Sequence, residues 1–174
     1  HSDYDVPTVV NCDYDAYFKE MEEMKEKYKG QITLKTGIEF GIQVHTTKAY
    51  EETFGQYPFD FVIFSCHQVE NKEYWRQEPQ KGKTQLEYNR RYYQEILDVV
   101  KAYKDYSILG HLDVIKRYDL NGEIELEKIK DLIEQIFEVV IADGKGIELN
   151  TSSRAYHLKS LMPSREILEL YHDM

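Results

Sequence analysis

Apolar side chains recur at three- and four-residue spacing in several stretches of this chain, which is the pattern of a helix with one buried face. Tyr14 and Phe18 begin such a series. Gly30 follows it as a stop signal. Another helix would begin at Thr84, where a glutamate three residues later completes a capping-box pattern. The predicted helices cover residues 13–29, 47–54, 84–104 and 125–142, and a last one starts near Pro163.

The segments between these helices are rich in β-branched and aromatic residues, which favour strands. The clearest is FDFVIFSC at residues 59–66, a continuous apolar run typical of a parallel strand buried on both faces. The other predicted strands cover residues 31–36, 106–110 and 146–150. Strands that alternate with helices imply an α/β fold with a parallel sheet. These strands are too few for a closed barrel, but they fit a run of strands from one.

Polar residues stand where each predicted strand ends, which is unexpected for segments that are otherwise apolar. The clearest case is Glu39 in GIEFG, because charged residues are rarely buried without a partner. The later strands lead to His67, to His111 and Asp113, and to Asn150 and Arg154. Since the carboxyl ends of parallel strands lie at one edge of the sheet and build active sites there, we expect these side chains to converge.

One glutamate and two histidines at such an edge would suit a divalent ion such as zinc, manganese or iron. Simpler roles remain open for each of them. Glu39 could form a buried ion pair or cap a helix, and a histidine such as His67 could be a hydrogen-bonded core residue. Asp113 could bind backbone amides or orient a histidine ligand, which we favour over metal ligation. Arg117 and Arg154 could pair with surface carboxylates.

Composition narrows the possible partners. The formal net charge is −10, so repulsion disfavours a broad interface with nucleic acid or with an anionic membrane. The two cysteines, Cys12 and Cys66, form no CxxC motif, and we expect reduced thiols and a cytoplasmic location. The sequence shows no signal peptide and no apolar run near the length of about 18 residues that a membrane span needs.

Five motifs, read in order, resemble a known family. HSDYDVP, GIEFG, FSCHQV, GHLDVIKRY and ELNTSSR are similar to segments of the PHP superfamily of metal-dependent phosphoesterases, and most of all to its histidinol-phosphatase branch. The resemblance covers nearly the whole chain. It implies a single PHP-type domain over residues 1–174 with the fold of a distorted (β/α)7 TIM-like barrel.

The barrel implied by the resemblance would be incomplete in this chain. The family carries an HxH motif on its first strand and a DxH motif on its last, and neither occurs in this sequence. The sequence also begins at His1 rather than at a methionine. Either the sequence is an excerpt of a longer polypeptide, or it folds only with another segment supplied. His1 could also be a remnant of an affinity tag.

The resemblance also implies roles for individual residues. The family holds a cluster of two or three divalent metals, which here would be Zn, Mn or Fe. The matching metal ligands are His1, Glu39, His67 and His111, with Glu39 as the bridging carboxylate. Arg117 and Arg154 match the arginines that hold the substrate phosphate, and they are the expected catalytic residues. Asp113 would support a ligand without binding metal itself.

The implied activity is that of a metal-dependent phosphomonoesterase, a histidinol-phosphatase that hydrolyses L-histidinol phosphate to L-histidinol and phosphate in histidine biosynthesis. A small phosphorylated substrate is therefore the expected partner. Two other readings remain open. The protein could hydrolyse another small phosphate ester, or it could be a non-catalytic metal-binding fragment. Nuclease activity is disfavoured by the acidic charge.

Overall fold

A four-stranded parallel sheet lies at the centre of the molecule, and its strands lie side by side in the order Gly37–Gly41, Phe61–Ser65, Ile108–Leu109 and Gly146–Ile147. The computed structural model describes residues 1–6 and 9–174. A short antiparallel hairpin, β3-β4, follows the second strand. The strands are β1 (Gly37–Gly41), β2 (Phe61–Ser65), β3 (Gln68–Val69), β4 (Lys72–Glu73), β5 (Ile108–Leu109) and β6 (Gly146–Ile147). The predicted α/β class with a parallel sheet is confirmed.

Helices precede, connect and follow the strands of the sheet. They are α1 (Tyr14–Lys27), α2 (Thr47–Gln56), α3 (Gln85–Ala102), α4 (Lys130–Ala142) and α5 (Arg165–Asp173). Thr84 caps α3 as predicted, because its hydroxyl accepts from the amide of Glu87 while the Glu87 carboxylate accepts from the amide of Thr84. Within the described part of the chain, no helix is long and apolar enough to cross a membrane.

The two faces of the sheet carry different side chains. Phe40, Phe64 and Leu109 lie on one face and are fully buried in the core. Glu39 pairs in register with Ile63 of β2, and both side chains point into a cavity on the other face. Side chains alternate between the two faces along a strand. The side chain of Glu39 therefore points away from the core, while that of its neighbour Phe40 points into it.

The first strand begins later than the sequence pattern predicts. Residues 31–36 are not a strand, because the amide of Thr36 donates to the Asp60 carboxylate at 2.7 Å instead of joining a ladder. Parallel pairing starts one residue later, at Gly37 and Phe61. The prediction for this strand is therefore wrong in its position, and GIEFG is the strand itself and not its exit.

The β3-β4 hairpin was not predicted. Its turn consists of Glu70 and Asn71, which have φ angles of 56° and 57°. Two consecutive left-handed residues are the signature of a tight hairpin turn, but such turns are recognised in sequence chiefly by glycine. The hairpin leads to a short 3-10 helix, Tyr74–Arg76, which brings Trp75 to the cavity above the sheet.

Candidate functional site

Three side chains from three neighbouring strands meet at the carboxyl edge of the sheet. Glu39 lies in β1, while His67 and His111 follow β2 and β5. One carboxylate oxygen of Glu39 lies 3.1 Å from Nε2 of His67 and 3.0 Å from Nε2 of His111. Their potential ligand atoms all fall within 4.8 Å of one another. Nitrogen and oxygen donors at this spacing match the ligand preferences of zinc, manganese and iron, so the residues fit a divalent metal.

The carboxylate of Glu39 is ionised and held by its neighbours. The hydroxyl of Ser65, in β2, donates to the same oxygen at 2.7 Å. Burial alone would raise the pKa of Glu39, but the hydrogen bonds with His111 and His67 outweigh burial and hold this pKa well below its usual range. A fixed negative charge therefore faces the cavity.

His67 is held on both of its ring nitrogens. Nδ1 lies 2.6 Å from Oδ1 of Asp3, and Nε2 faces Glu39. Burial alone would lower the pKa of His67, but the two carboxylates raise it to about 9. A carboxylate on the far nitrogen of a histidine is the usual way in which proteins orient a metal-binding imidazole.

Asp3 is a residue of the candidate site that the sequence pattern did not single out. Its carboxylate is almost fully buried and also lies 3.1 Å from Nε2 of His1. Asp3 belongs to a segment whose sequence pattern predicts neither a helix nor a strand. No hydrophobic periodicity therefore points to it. The available signal was its position two residues after His1. The His1 ring lines the same cavity, 5.9 Å from the His67 ring, but His1 lies outside the group of three potential ligands.

A buried tyrosine fixes the segment that carries Asp3. The backbone of Ser2 pairs with that of Phe40, which extends the sheet beyond β1. The hydroxyl of Tyr50 contacts the carbonyl oxygens of Ser2 and Gly41 at 2.8 and 3.0 Å and accepts from the amide of Tyr4 at 2.9 Å. Asp3 is thus held against the end of β1 by contacts on both sides.

Gly41 provides the space in which Asp3 and His67 meet. A Cβ atom at this position would overlap Oδ1 of Asp3 and lie only 2.8 Å from Nδ1 of His67. The close approach of these two side chains therefore requires a residue without a Cβ atom at position 41.

We expect Gly41→Ala to reduce the free energy of unfolding by about 1–3 kcal/mol, because the added methyl must displace buried polar groups. Urea denaturation measures the change. Gly55→Ala is the matched control, since a Cβ there has nothing within 4 Å and alanine favours the helix that contains it. Equal stability of the Gly41→Ala and wild-type proteins would contradict the close contact.

The opposite side of the cavity carries an arginine. The cavity has a volume of about 480 Å³, and Arg117 lines it together with Trp75 and Tyr156. The guanidinium lies 4.0 Å above the ring of Tyr156 and donates to the hydroxyl of Ser152 at 2.7 Å. Since these partners are neutral, its charge is available to an anion in the cavity.

The structure places two predicted residues differently. Arg154 is exposed on the 3-10 helix Thr151–Tyr156, and it is not among the described residues that line the cavity. Ser152 and Tyr156 of the same helix face the cavity instead. Asp113 contacts Lys116 and the amide of Ser164, as the backbone-binding alternative predicts, and within the described part of the chain it contacts no histidine.

Glu148 is a further residue that sequence reasoning missed. Its carboxylate accepts from the backbone amide of His111 at 2.7 Å and from the side chain of Asn150 at 3.1 Å. It stands just after β6 and lines the cavity. The acid therefore fixes the backbone from which His111 projects. Because Glu148 lies inside the predicted strand 146–150, the pattern of polar residues at strand ends did not mark it.

Comparison with known proteins identifies the family of this chain. A model of the PHP domain family matches residues 1–152, and the chain therefore belongs to the PHP domain family. The predicted resemblance is confirmed. A histidinol-phosphatase of Lactococcus lactis subsp. lactis is 29% identical over 155 residues, which are 87% of this chain and 58% of the relative. A probable histidinol-phosphatase of Clostridium acetobutylicum is 26% identical over 141 residues, which are 80% of this chain and 53% of that relative. The chain thus spans little more than half the length of these relatives.

Solved structures show the same fold. The crystal structure of histidinol phosphate phosphatase from Lactococcus lactis, complexed with Zn, L-histidinol and phosphate, superposes with a TM-score of 0.78 at 29% identity. The match covers 86% of this chain and 58% of that one. A putative histidinol phosphatase from Listeria monocytogenes gives a TM-score of 0.67 over 99% of this chain and 72% of its own. At 17% identity this second structure supports the fold alone.

Proposed function

We propose that this chain is the central part of a metal-dependent phosphomonoesterase, a histidinol-phosphatase that converts L-histidinol phosphate to L-histidinol and phosphate. The observation that carries the proposal is the convergence of Glu39, His67 and His111 across one cavity from Arg117. A metal-binding cluster that faces a free cationic side chain suits a phosphate ester, whose oxygens need both. The Lactococcus lactis structure, which contains Zn, L-histidinol and phosphate, supports this substrate.

The proposal extends to the domain and its metals. Residues 1–174 would form one PHP-type domain, and the four-stranded sheet would be part of a distorted (β/α)7 barrel. The site would hold two or three divalent metals, with Zn, Mn and Fe as candidates. Glu39, His67 and His111 would be ligands in this chain, Glu39 would bridge two metals, and His1 would add a further nitrogen.

In the proposed reaction, residues of this chain position the metal and the substrate phosphate. A divalent metal, when bound, supplies a Lewis acid and lowers the pKa of water to about 7. Asp3 and Ser65 hold His67 and Glu39 in the orientation that metal binding requires. The guanidinium of Arg117 holds the phosphate of the substrate and neutralises the charge that develops on its oxygens. Arg154 would be a second phosphate contact, and it would have to turn inward from its exposed position.

A phosphate-release assay tests the proposed function. We expect the metal-loaded full-length protein to release phosphate from L-histidinol phosphate with a higher kcat/KM than from other small monoesters. We expect little cleavage of a phosphodiester such as bis(p-nitrophenyl) phosphate, since a monoester offers more charge to an arginine. A strong preference for another monoester would show that L-histidinol phosphate is not the substrate. If no ester released phosphate, the proposed enzymatic function would be refuted.

The affinity of the site for metal should depend on pH. The pKa of His67 is about 9 in the metal-free protein, and a metal binds only the neutral imidazole. A proton must therefore leave on binding, so we expect affinity for Zn²⁺ to rise by up to about tenfold per pH unit between pH 6.5 and 8.5. Competition with a fluorescent chelator measures this slope, and a flat profile would contradict the assigned role of His67.

Without metal, the stability that His67 provides should have the opposite dependence. Because its pKa is raised from 6.5 to about 9 on folding, the contribution is complete below pH 6.5 and is lost as the pH rises through about 9. Urea denaturation of the metal-free protein at pH 6.0 and 9.5 shows the difference. His67→Gln is the control, since this variant should lose that part of the pH dependence.

A further inference from the structure

A buried ion pair lies directly beside Arg117 in sequence and belongs to no part of the mechanism above. Nζ of Lys116 lies 2.7 Å from Oδ2 of Asp113, and the two side chains are 7% and 4% exposed. Removing both charges from water is costly, and such a pair adds little net stability compared with apolar residues of the same size. The pair therefore invites an explanation beyond stability.

The pair ties two separate segments together. Lys116 and Asp113 belong to the turn that begins after His111, where a 3-10 helix spans Val114–Arg117. Nζ of Lys116 also donates to the hydroxyl of Ser160 at 2.8 Å and to the carbonyl oxygen of Leu161. The same carboxylate oxygen of Asp113 accepts from the amide of Ser164 at 3.0 Å. Both charges thus hold one loop, residues 160–164, which we call the anchor loop.

The anchor loop in turn contacts the guanidinium of Arg117. Met162, at the centre of the loop, is fully buried, and its sulfur lies 3.3 Å from Nε of Arg117. Its carbonyl oxygen accepts from the amide of Asn150 at 2.6 Å. The side chain of Asn150 accepts from the amide of Ser152 at 2.9 Å, and the hydroxyl of Ser152 accepts from Arg117. Within the described part of the chain, both hydrogen-bond partners of the guanidinium, Met162 and Ser152, thus connect to the anchor loop.

We propose that the buried pair of Asp113 and Lys116 positions Arg117 for the phosphate of the substrate. The inference rests on the proposed function, and it assigns the pair to the phosphate-binding side of the cavity and not to the metal ligands. Asp113 and Lys116 are positioning residues, because they contact the anchor loop and are not among the described residues that line the cavity. Without them the loop loses three polar anchors, and Met162 and Ser152 no longer fix the guanidinium.

The double variant Asp113→Leu/Lys116→Met separates positioning from stability in the full-length protein. It leaves no unpaired buried charge, so we expect a folded protein with unchanged metal content. We expect the KM for L-histidinol phosphate and the inhibition constant of inorganic phosphate both to rise at least tenfold, with a much smaller change in kcat. If this variant does not fold, Asp113→Asn/Lys116→Gln removes both charges and keeps polar side chains, and we expect a rise of at least threefold.

The matched control is Glu125→Leu/Lys128→Met. This pair has the same spacing and a separation of 3.1 Å, but it is exposed and lies outside the cavity lining. Its KM and inhibition constant should equal those of the wild-type protein. A folded variant of the buried pair with both constants within twofold of wild type would overturn the proposal while leaving the phosphatase function intact.

A crystal structure of the Asp113→Leu/Lys116→Met variant tests the proposal without measuring activity. We expect the 2.7 Å contact between Arg117 and Ser152 to be lost while the parallel sheet is unchanged. An unchanged contact would overturn the positioning role. If the wild-type protein released phosphate from no ester, the proposed function would fail, and this structural comparison would still decide whether the pair fixes Arg117.

Discussion

Replacing Glu39 with glutamine should remove the bound metal and lower phosphate release by roughly a thousandfold, equivalent to about 4 kcal/mol of transition-state stabilisation. Glutamine has nearly the same shape and can still accept from Ser65. It lacks the negative charge that now faces both His67 and His111 within hydrogen-bond distance. Since metal ligation by a carboxylate depends on that charge, the loss of metal should account for the loss of activity.

Elemental analysis and a phosphate-release assay on the same preparation test this result. Glu138→Gln is a suitable control, because Glu138 is an exposed glutamate of α4 and lies outside the cavity. We expect the control to keep the metal content and turnover of the wild-type protein. A Glu39→Gln protein with full metal content and full turnover would show that the metal site has been assigned to the wrong residues.

Replacing Arg117 with methionine should lower kcat/KM by roughly a hundredfold while metal content is unchanged, because it removes a preorganised donor from the phosphate side of the cavity. The flat guanidinium is held by stacking on Tyr156 and by the hydroxyl of Ser152. Arg117→Lys keeps the charge but loses the planar pair of donors, so an intermediate value is expected.

Steady-state kinetics combined with elemental analysis distinguishes Arg117 from a metal ligand. The control is Arg90→Met, since Arg90 forms a two-point ion pair with Asp131 on the surface, away from the cavity. Its kcat/KM should stay within twofold of wild type. Two outcomes would contradict the assignment: wild-type kcat/KM in the Arg117→Met protein, or loss of its metal.

The architecture was predictable where local patterns coincide with burial. The apolar run of β2 and the capping box of α3 each specify their element without help from distant residues. The start of β1 was not predictable, because it depends on Asp60, which is distant in sequence. The carboxylate of Asp60 accepts from the amide of Thr36, and strand pairing therefore begins only at Gly37. The β3-β4 turn was not predictable either, because its two left-handed residues are Glu70 and Asn71 and neither is the glycine that usually indicates such a turn in sequence.

The site divides in a similar way. Glu39, His67 and His111 stand out in sequence because they interrupt or follow apolar strands, and strand order brings them together. Asp3 belongs to an irregular segment, and tertiary contacts, the pairing of Ser2 with Phe40 and the hydrogen bonds of Tyr50, place it beside His67. The outward position of Arg154 depends on the course of a 3-10 helix, which the motif ELNTSSR does not reveal.

The measurement that tests the central claim most directly is a metal titration of the metal-free, full-length protein. Zn²⁺ is added stepwise while phosphate release from L-histidinol phosphate is followed. The proposed site predicts no activity without metal and a rise that ends when two or three equivalents are bound. Full activity without metal, or tight metal binding with no phosphate release, would contradict the claim that this cavity is the centre of a metal-dependent phosphatase.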